Sequence, residues 1–112
     1  NEQKATYASK ITSKTTKINF DENVTNVYNK IRAFSPKPGA WFLFKDERIK
    51  IISCKKIIGK PSPSKIINKH FHIGCNDGAI IPIVIQREGK KPMEIREFLR
   101  GFTFSVGQTI NA

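Results

Sequence analysis

Val24, Val27, Ile31 and Phe34 recur at three- and four-residue spacing, so one face of a helix is apolar as far as Phe34. Pro36 biases Ser35 away from helical backbone, and Pro38-Gly39 prevents a restart. Ala40-Trp41-Phe42-Leu43-Phe44 follows; it is too short for a helix and rich in aromatics, which predicts a strand. Lys45-Asp46-Glu47 reads as a tight turn, and Arg48-Ile49-Lys50-Ile51 alternates cleanly before Ile52-Ser53-Cys54 blurs the phase. The pattern predicts a hairpin of Trp41–Phe44 with Arg48–Cys54, bulged near its far end.

Further along, Gly59 to Ser64 has loop composition, and Lys65-Ile66-Ile67 reads as a short strand before a turn at Asn68-Lys69. His70 to Cys75 alternates, placing Phe71, Ile73 and Cys75 on one face of a strand. Asn76-Asp77-Gly78 is a hairpin turn, and Ala79 to Gln86 a buried strand in which Pro82 demands an edge position or a bulge. Met93 to Arg100 predicts a second helix with Ile95, Phe98 and Leu99 inward and Gly101 as its stop. Glu94 and Glu97 would occupy its first turn. At the first helix, Asp21 is the expected cap, with Glu22 near the positive end and Phe20 stapling the entry. The chain therefore reads as mainly β, with two short helices and a small closed sheet of five to six strands. Pattern alone leaves barrel and sandwich both open.

Residues 1–18 show neither period; Lys4, Lys10, Lys14 and Lys17 alternate with Ser, Thr and small residues, so this stretch reads as a linker reaching roughly 60 Å when extended. Residues 19–112 form the one domain that the length allows.

Charge changes the picture. Across 112 residues, 20 basic side chains against 9 acidic ones give +11, which predicts attraction to a polyanion. From Arg48 to Asn76 stand Arg48, Lys50, Lys55, Lys56, Lys60, Lys65 and Lys69, without one acid. A solvated lysine surface is the plain alternative. No stretch has the length of a membrane span, and residues 1–20 lack a signal peptide's apolar segment. Cys54 and Cys75 are expected as thiols in a reducing compartment, although a disulfide stays open on sequence grounds.

Candidate chemistry is sparse. His70-x-His72 puts two imidazoles on one strand face, but no third ligand stands at metal spacing. No serine has the glycine context of a nucleophile elbow. Gly59-Lys60 and Gly89-Lys90-Lys91 do not open a helix with Lys-Ser/Thr, so neither is a phosphate loop. Gly89-Lys90-Lys91 reads instead as a basic turn whose ammonium groups suit successive phosphates. Trp41, Phe42 and Phe44 offer a stacking surface for bases, with core packing as the competing role.

Several segments in order resemble the C-terminal domain of the methionyl-tRNA formyltransferase family: Ala5-Thr6-Tyr7-Ala8 with Lys10-Ile11-Thr12, Ile18-Asn19-Phe20, the corner from Ile31 to Trp41, Gly89-Lys90-Lys91-Pro92-Met93, and Phe98-Leu99-Arg100-Gly101. The resemblance implies a five-stranded barrel of the oligonucleotide-binding type (OB-like). It also implies a preceding catalytic domain, absent from this chain, that transfers the formyl group of 10-formyltetrahydrofolate to the methionyl amine of initiator tRNA. The linker would strap across that domain. This part would bind no cofactor and no metal, catalyse nothing itself, and hold tRNA through phosphates with little discrimination. The residues expected to do so are Lys10, Lys14, Lys17, Arg32, Lys37, Lys50, Lys55, Lys90 and Lys91. A monomer in the bacterial cytoplasm, less readily the mitochondrial matrix, is the implied setting. The alternative is the structural or substrate-positioning domain of a formyltransferase acting on a small molecule such as an amino nucleotide sugar, which has no need of +11. A free-standing basic RNA-binding protein is a third reading.

Overall fold

A computed structural model describes residues 15–110. Helix α1 spans Val24–Phe34 and is followed by strands β1 (Ala40–Phe44), β2 (Glu47–Ile58), β3 (Ile73–Gly74), β4 (Gly78–Arg87) and β5 (Met93–Glu94), with helix α2 (Ile95–Gly101) last. The strands make one antiparallel five-stranded sheet in the order β1-β2-β4-β3, with β5 also pairing β4. It curls strongly into a half-barrel, so the mainly β expectation holds and the shape is compatible with an OB-like barrel.

Helix α1 ends at Phe34, where Pro36 predicts it to end, and buries Val24, Val27 and Ile31. Its start differs from expectation. Asn23 is the cap, its side chain accepting from the Asn26 N–H at 2.8 Å, and no acidic residue lies in the first turn. Burial of Phe20, edge-on to Phe42 with ring centroids 5.4 Å apart, holds residues 19–22 in a preceding turn. Asp21 instead accepts from the Ser64 hydroxyl at 2.9 Å. The amide of Val24 donates to Asp77 Oδ1, at 2.7 Å, from the far end of the sheet.

The β1–β2 hairpin forms in the predicted register, from Ala40 opposite Ile51 to Phe44 opposite Glu47, so the turn is only Lys45-Asp46, both left-handed at φ 53° and 64°. The bulge falls where the alternation blurs, as register shifts either side of Ser53. Pro82 lies opposite Cys54 at that irregularity, in a gap between β4's pairings with β3 and with β5, so its missing N–H is tolerated within a central strand.

Three expected elements are shorter or different. Lys65 and Ile66 form only isolated bridges, and of His70–Cys75 only Ile73–Gly74 is strand, because Phe71 turns left-handed at φ 64°. Phe71, Ile73 and Cys75 are nevertheless all buried, as their spacing predicts. Met93-Glu94 pairs with β4 before α2 begins, and α2 ends at Gly101, with Phe102 already extended. Phe71 anchors an aromatic core, its ring between 5.0 and 6.3 Å from those of Phe42, Phe44, Phe98, Phe102 and Phe104. Cys54 and Cys75 are free thiols. Burial pushes them up to about 11 and about 12 respectively, so both stay protonated and unreactive.

Candidate nucleic-acid interface

The alternation of β1 and β2 sorts their residues by face. Ala40, Phe42, Phe44, Ile49 and Ile51 fill the concave core side, while Trp41, Leu43, Arg48 and Lys50 share the other side. Trp41 lies opposite Lys50, and Arg48 sits diagonally across from it. The Arg48 guanidinium stacks over the Trp41 ring at 4.1 Å from its centroid, and Lys17 Nζ stands 5.6 Å from the same centroid. Lys17 reaches that position because residues 16–18 run beside β1: Trp41 N–H donates to the Thr16 carbonyl at 3.1 Å, and Ile18 N–H to the Trp41 carbonyl at 2.7 Å. The ring thus carries two cations on a surface that is itself only 6% exposed.

Lys50 continues this surface toward β4, where its partner is Gln86. Gln86 Nε2 donates to the Lys90 carbonyl at 2.8 Å, which ties the basic turn to the same end of the sheet. Arg48, Lys50, Gln86, Arg87, Glu88 and Gly89 line a concavity of about 380 Å³ there. Its arginines are not equivalent. Arg87 is engaged by Glu47 through two hydrogen bonds of 2.9 Å, whereas Arg48 and Lys50 make no ion pair among the described residues. The Arg87 hydrogen bonds hold the Glu47 carboxyl below its usual value. Lys37 lies in the corner that backs onto Lys50. A Cβ on Gly39, at φ +89°, would approach the Lys50 Cδ to 2.9 Å, so the missing side chain lets the corner lie against the lysine stem.

The other expected residues are dispersed. Arg32 belongs to a second groove of about 360 Å³ between α1 and the β2 bulge, lined by Tyr28, Ile31, Ser35, Ile52, Ser53 and Cys54. Its guanidinium and Lys56 Nζ each lie 5.5 Å from the Tyr28 ring centroid. Lys55 is exposed on β2, opposite Ile81. Lys91 opens onto a third concavity of about 540 Å³ beside α2, with Met93, Glu94, Arg96, Glu97 and Arg100. Lys10 and Lys14 fall outside the described residues. The structure therefore groups Lys17 and Lys50 around Trp41, sets Lys37 and Lys90 in adjoining turns, and places Arg32, Lys55 and Lys91 elsewhere.

Arg48 is the member that charge reading passed over. Its signal was present: it stands two residues before Lys50 in the same alternating run. Lys56, beside Tyr28, had no such signal, since alternation is lost after Ile51. Phe42 and Phe44 are buried and cannot stack on bases. His72 Nδ1 is 2.9 Å from Asn68 Nδ2, and no cluster of three metal-ligating side chains exists among the described residues.

Residues 10–103 match the formyl transferase C-terminal domain family. The chain belongs to that family. Relatives include methionyl-tRNA formyltransferases of Rhizorhabdus wittichii, 41% identical over 95% of this chain and 35% of the relative, and of Sinorhizobium fredii, 38% identical over 93% and 35%. That of Rhodopseudomonas palustris is 40% identical over 95% and 36%. The domain thus spans about a third of the length of the curated relatives it matches. No helix among its described residues is long and apolar enough to cross a membrane.

Proposed function

We propose that this chain is the tRNA-holding C-terminal domain of a methionyl-tRNA formyltransferase. The whole enzyme would formylate the amino group of methionyl initiator tRNA in translation initiation, in the bacterial cytoplasm. The observation that carries the reading is the cationic face around Trp41, where the side chains of Lys17, Arg48 and Lys50 make no ion pair among the described residues, in a domain whose relatives are named for a tRNA substrate. Lysine and arginine at this spacing neutralise successive phosphates, which positions an RNA without reading its sequence. The work of the domain is electrostatic: it holds the tRNA so that the acceptor end meets the catalytic part of the enzyme. Lys17, Lys37, Lys50 and Lys90 are assigned to one contact surface and Arg32, Lys55 and Lys91 to its flanks; Lys10 and Lys14 are assigned to phosphate contact on charge alone. A family of this kind implies 10-formyltetrahydrofolate as donor. No step of the transfer is placed on this chain.

The test is binding of the chain, as a monomer, to initiator tRNA, an elongator tRNA and duplex DNA across a salt series. With about five phosphates neutralised, log affinity should fall against log salt with a slope of roughly −4, with little preference between the tRNAs. Absence of binding at low salt would instead favour a domain serving a small-molecule formyltransferase.

A further inference from the structure

The far end of the β2–β4 ribbon breaks the pattern of the sheet. Ile57 and Ile58 are 53% and 64% exposed, whereas Ile49 and Ile51 of the same strand are fully buried. Neighbours on a strand point to opposite faces, so the tip presents a bare isoleucine on each side. Lys55, Lys56 and Lys60 around it are exposed, and no carboxylate lies between Arg48 and Asn76 in sequence. Asp77, just beyond, has its Oδ1 occupied by the Val24 N–H at 2.7 Å.

The tip is also held firmly. Ile57 and Ile58 pair with Ala79 and Gly78, and the Gly59 N–H donates to the Asp77 carbonyl at 3.0 Å. A Cβ on Gly78 would stand 2.1 Å from the Ile57 carbonyl oxygen, so the strands approach this closely only because that residue is glycine.

Rigid, paired, apolar side chains in water need a partner to cover them. The lysines define its chemistry. Three ammonium groups that make no ion pair among the described residues repel a basic surface and suit a polyanion that also offers apolar planes, which describes RNA with unpaired bases. Resting on the tRNA reading, we propose that the Ile57–Ile58 tip packs against unpaired bases of the bound RNA while Lys55, Lys56 and Lys60 hold the adjoining phosphates. Apolar side chains set against bases in this way favour deformable or open sites over continuous duplex. The face around Trp41 and the lysines of the tip then supply salt-dependent affinity, and the two isoleucines a component that salt does not screen.

The experiment compares the parent chain with Ile57→Thr/Ile58→Thr, which keeps β-branched side chains in the strand, on tRNA and on a continuous RNA duplex of similar size. The double variant should bind tRNA about tenfold more weakly at every salt concentration with an unchanged slope, and lose the parent's preference over duplex. Lys55→Gln/Lys56→Gln should flatten the slope instead. Val106→Thr, at a 60% exposed apolar position elsewhere, should leave binding unaltered. A double variant with parental affinity, or one losing equally on tRNA and duplex, would overturn the base contact while leaving the tRNA reading intact. A parent chain that binds no tRNA at low salt would overturn both.

Discussion

Arg48 and Arg87 border the same concavity and do different work. Arg87 is held in a two-point hydrogen bond by Glu47, so its charge is already answered; Arg48 lies over Trp41 with its outer edge toward solvent. If Arg48 contacts one phosphate, Arg48→Ala should weaken tRNA binding and reduce the magnitude of the salt slope by about 0.7 to 0.9, whereas Arg87→Ala should leave the slope unchanged. The Arg87 partner has its own signature in pH. Glu47 titrates below its ordinary value of 4.5, chiefly because Arg87 hydrogen-bonds the carboxylate. The folded protein therefore binds fewer protons at this group than the unfolded chain does. The stabilisation is complete above that ordinary value and is lost as pH falls through the lower folded one. The pair is partly solvated, so Glu47→Gln should lower stability at pH 7 by less than about 1 kcal/mol. Urea unfolding should show the gap between variant and parent narrowing as pH drops below 4.5.

Among the elements, the packing of loops and strands on the sheet depends on close approaches that only glycine permits. A Cβ on Gly74 would lie 1.9 Å from the Ser62 carbonyl oxygen, whose residue donates its own N–H to Cys75 at 3.0 Å. Gly74→Ala must push the residue 62–65 loop off the sheet and should lower stability by about 2–4 kcal/mol, read as a fall in the urea midpoint without a change in m. How much of such architecture is legible depends on whether the cause is local. The end of α1 was readable because Pro36 acts on its neighbour, and the β1–β2 register because Phe42, Phe44, Ile49 and Ile51 alternate. The start of α1 was not: Asp21 and Asn23 are both good caps, and Phe20 burial with the Asp77 contact chose between them over a long sequence distance. The His70–Cys75 run gave the right inward residues and the wrong length, since a left-handed Phe71 is imposed by the aromatic cluster around it. β5 is two residues long and exists only by pairing with β4, so no periodicity marks it. At the candidate site, charge alone pointed to Lys17 and Lys50. The grouping of these with Arg48 needed the strand pairing that sets them around Trp41.

For the whole molecule the +11 charge acts on folding as well as on binding. Among the described residues only two salt bridges form, and one of them, Arg96 with Glu94, is largely exposed at 3.4 Å. Like-charge repulsion therefore outweighs surface pairing in the folded state, and the unfolded chain relieves it by expanding. Screening should then stabilise the free domain: its melting temperature should rise by several degrees between about 20 mM and 500 mM salt, where the Debye length falls well below the spacing of its charges. With tRNA present the curve should change shape. At low salt the RNA binds only the folded form and raises the melting point by mass action. As salt dissociates the complex that gain disappears, so the melting temperature first falls and then joins the rising curve of the free domain. A dip of this kind, measured by thermal scans with and without tRNA, ties the charge that destabilises the fold to the charge that holds the ligand. A free-domain melting point that fell with salt would show that ion pairs, rather than repulsion, govern the surface.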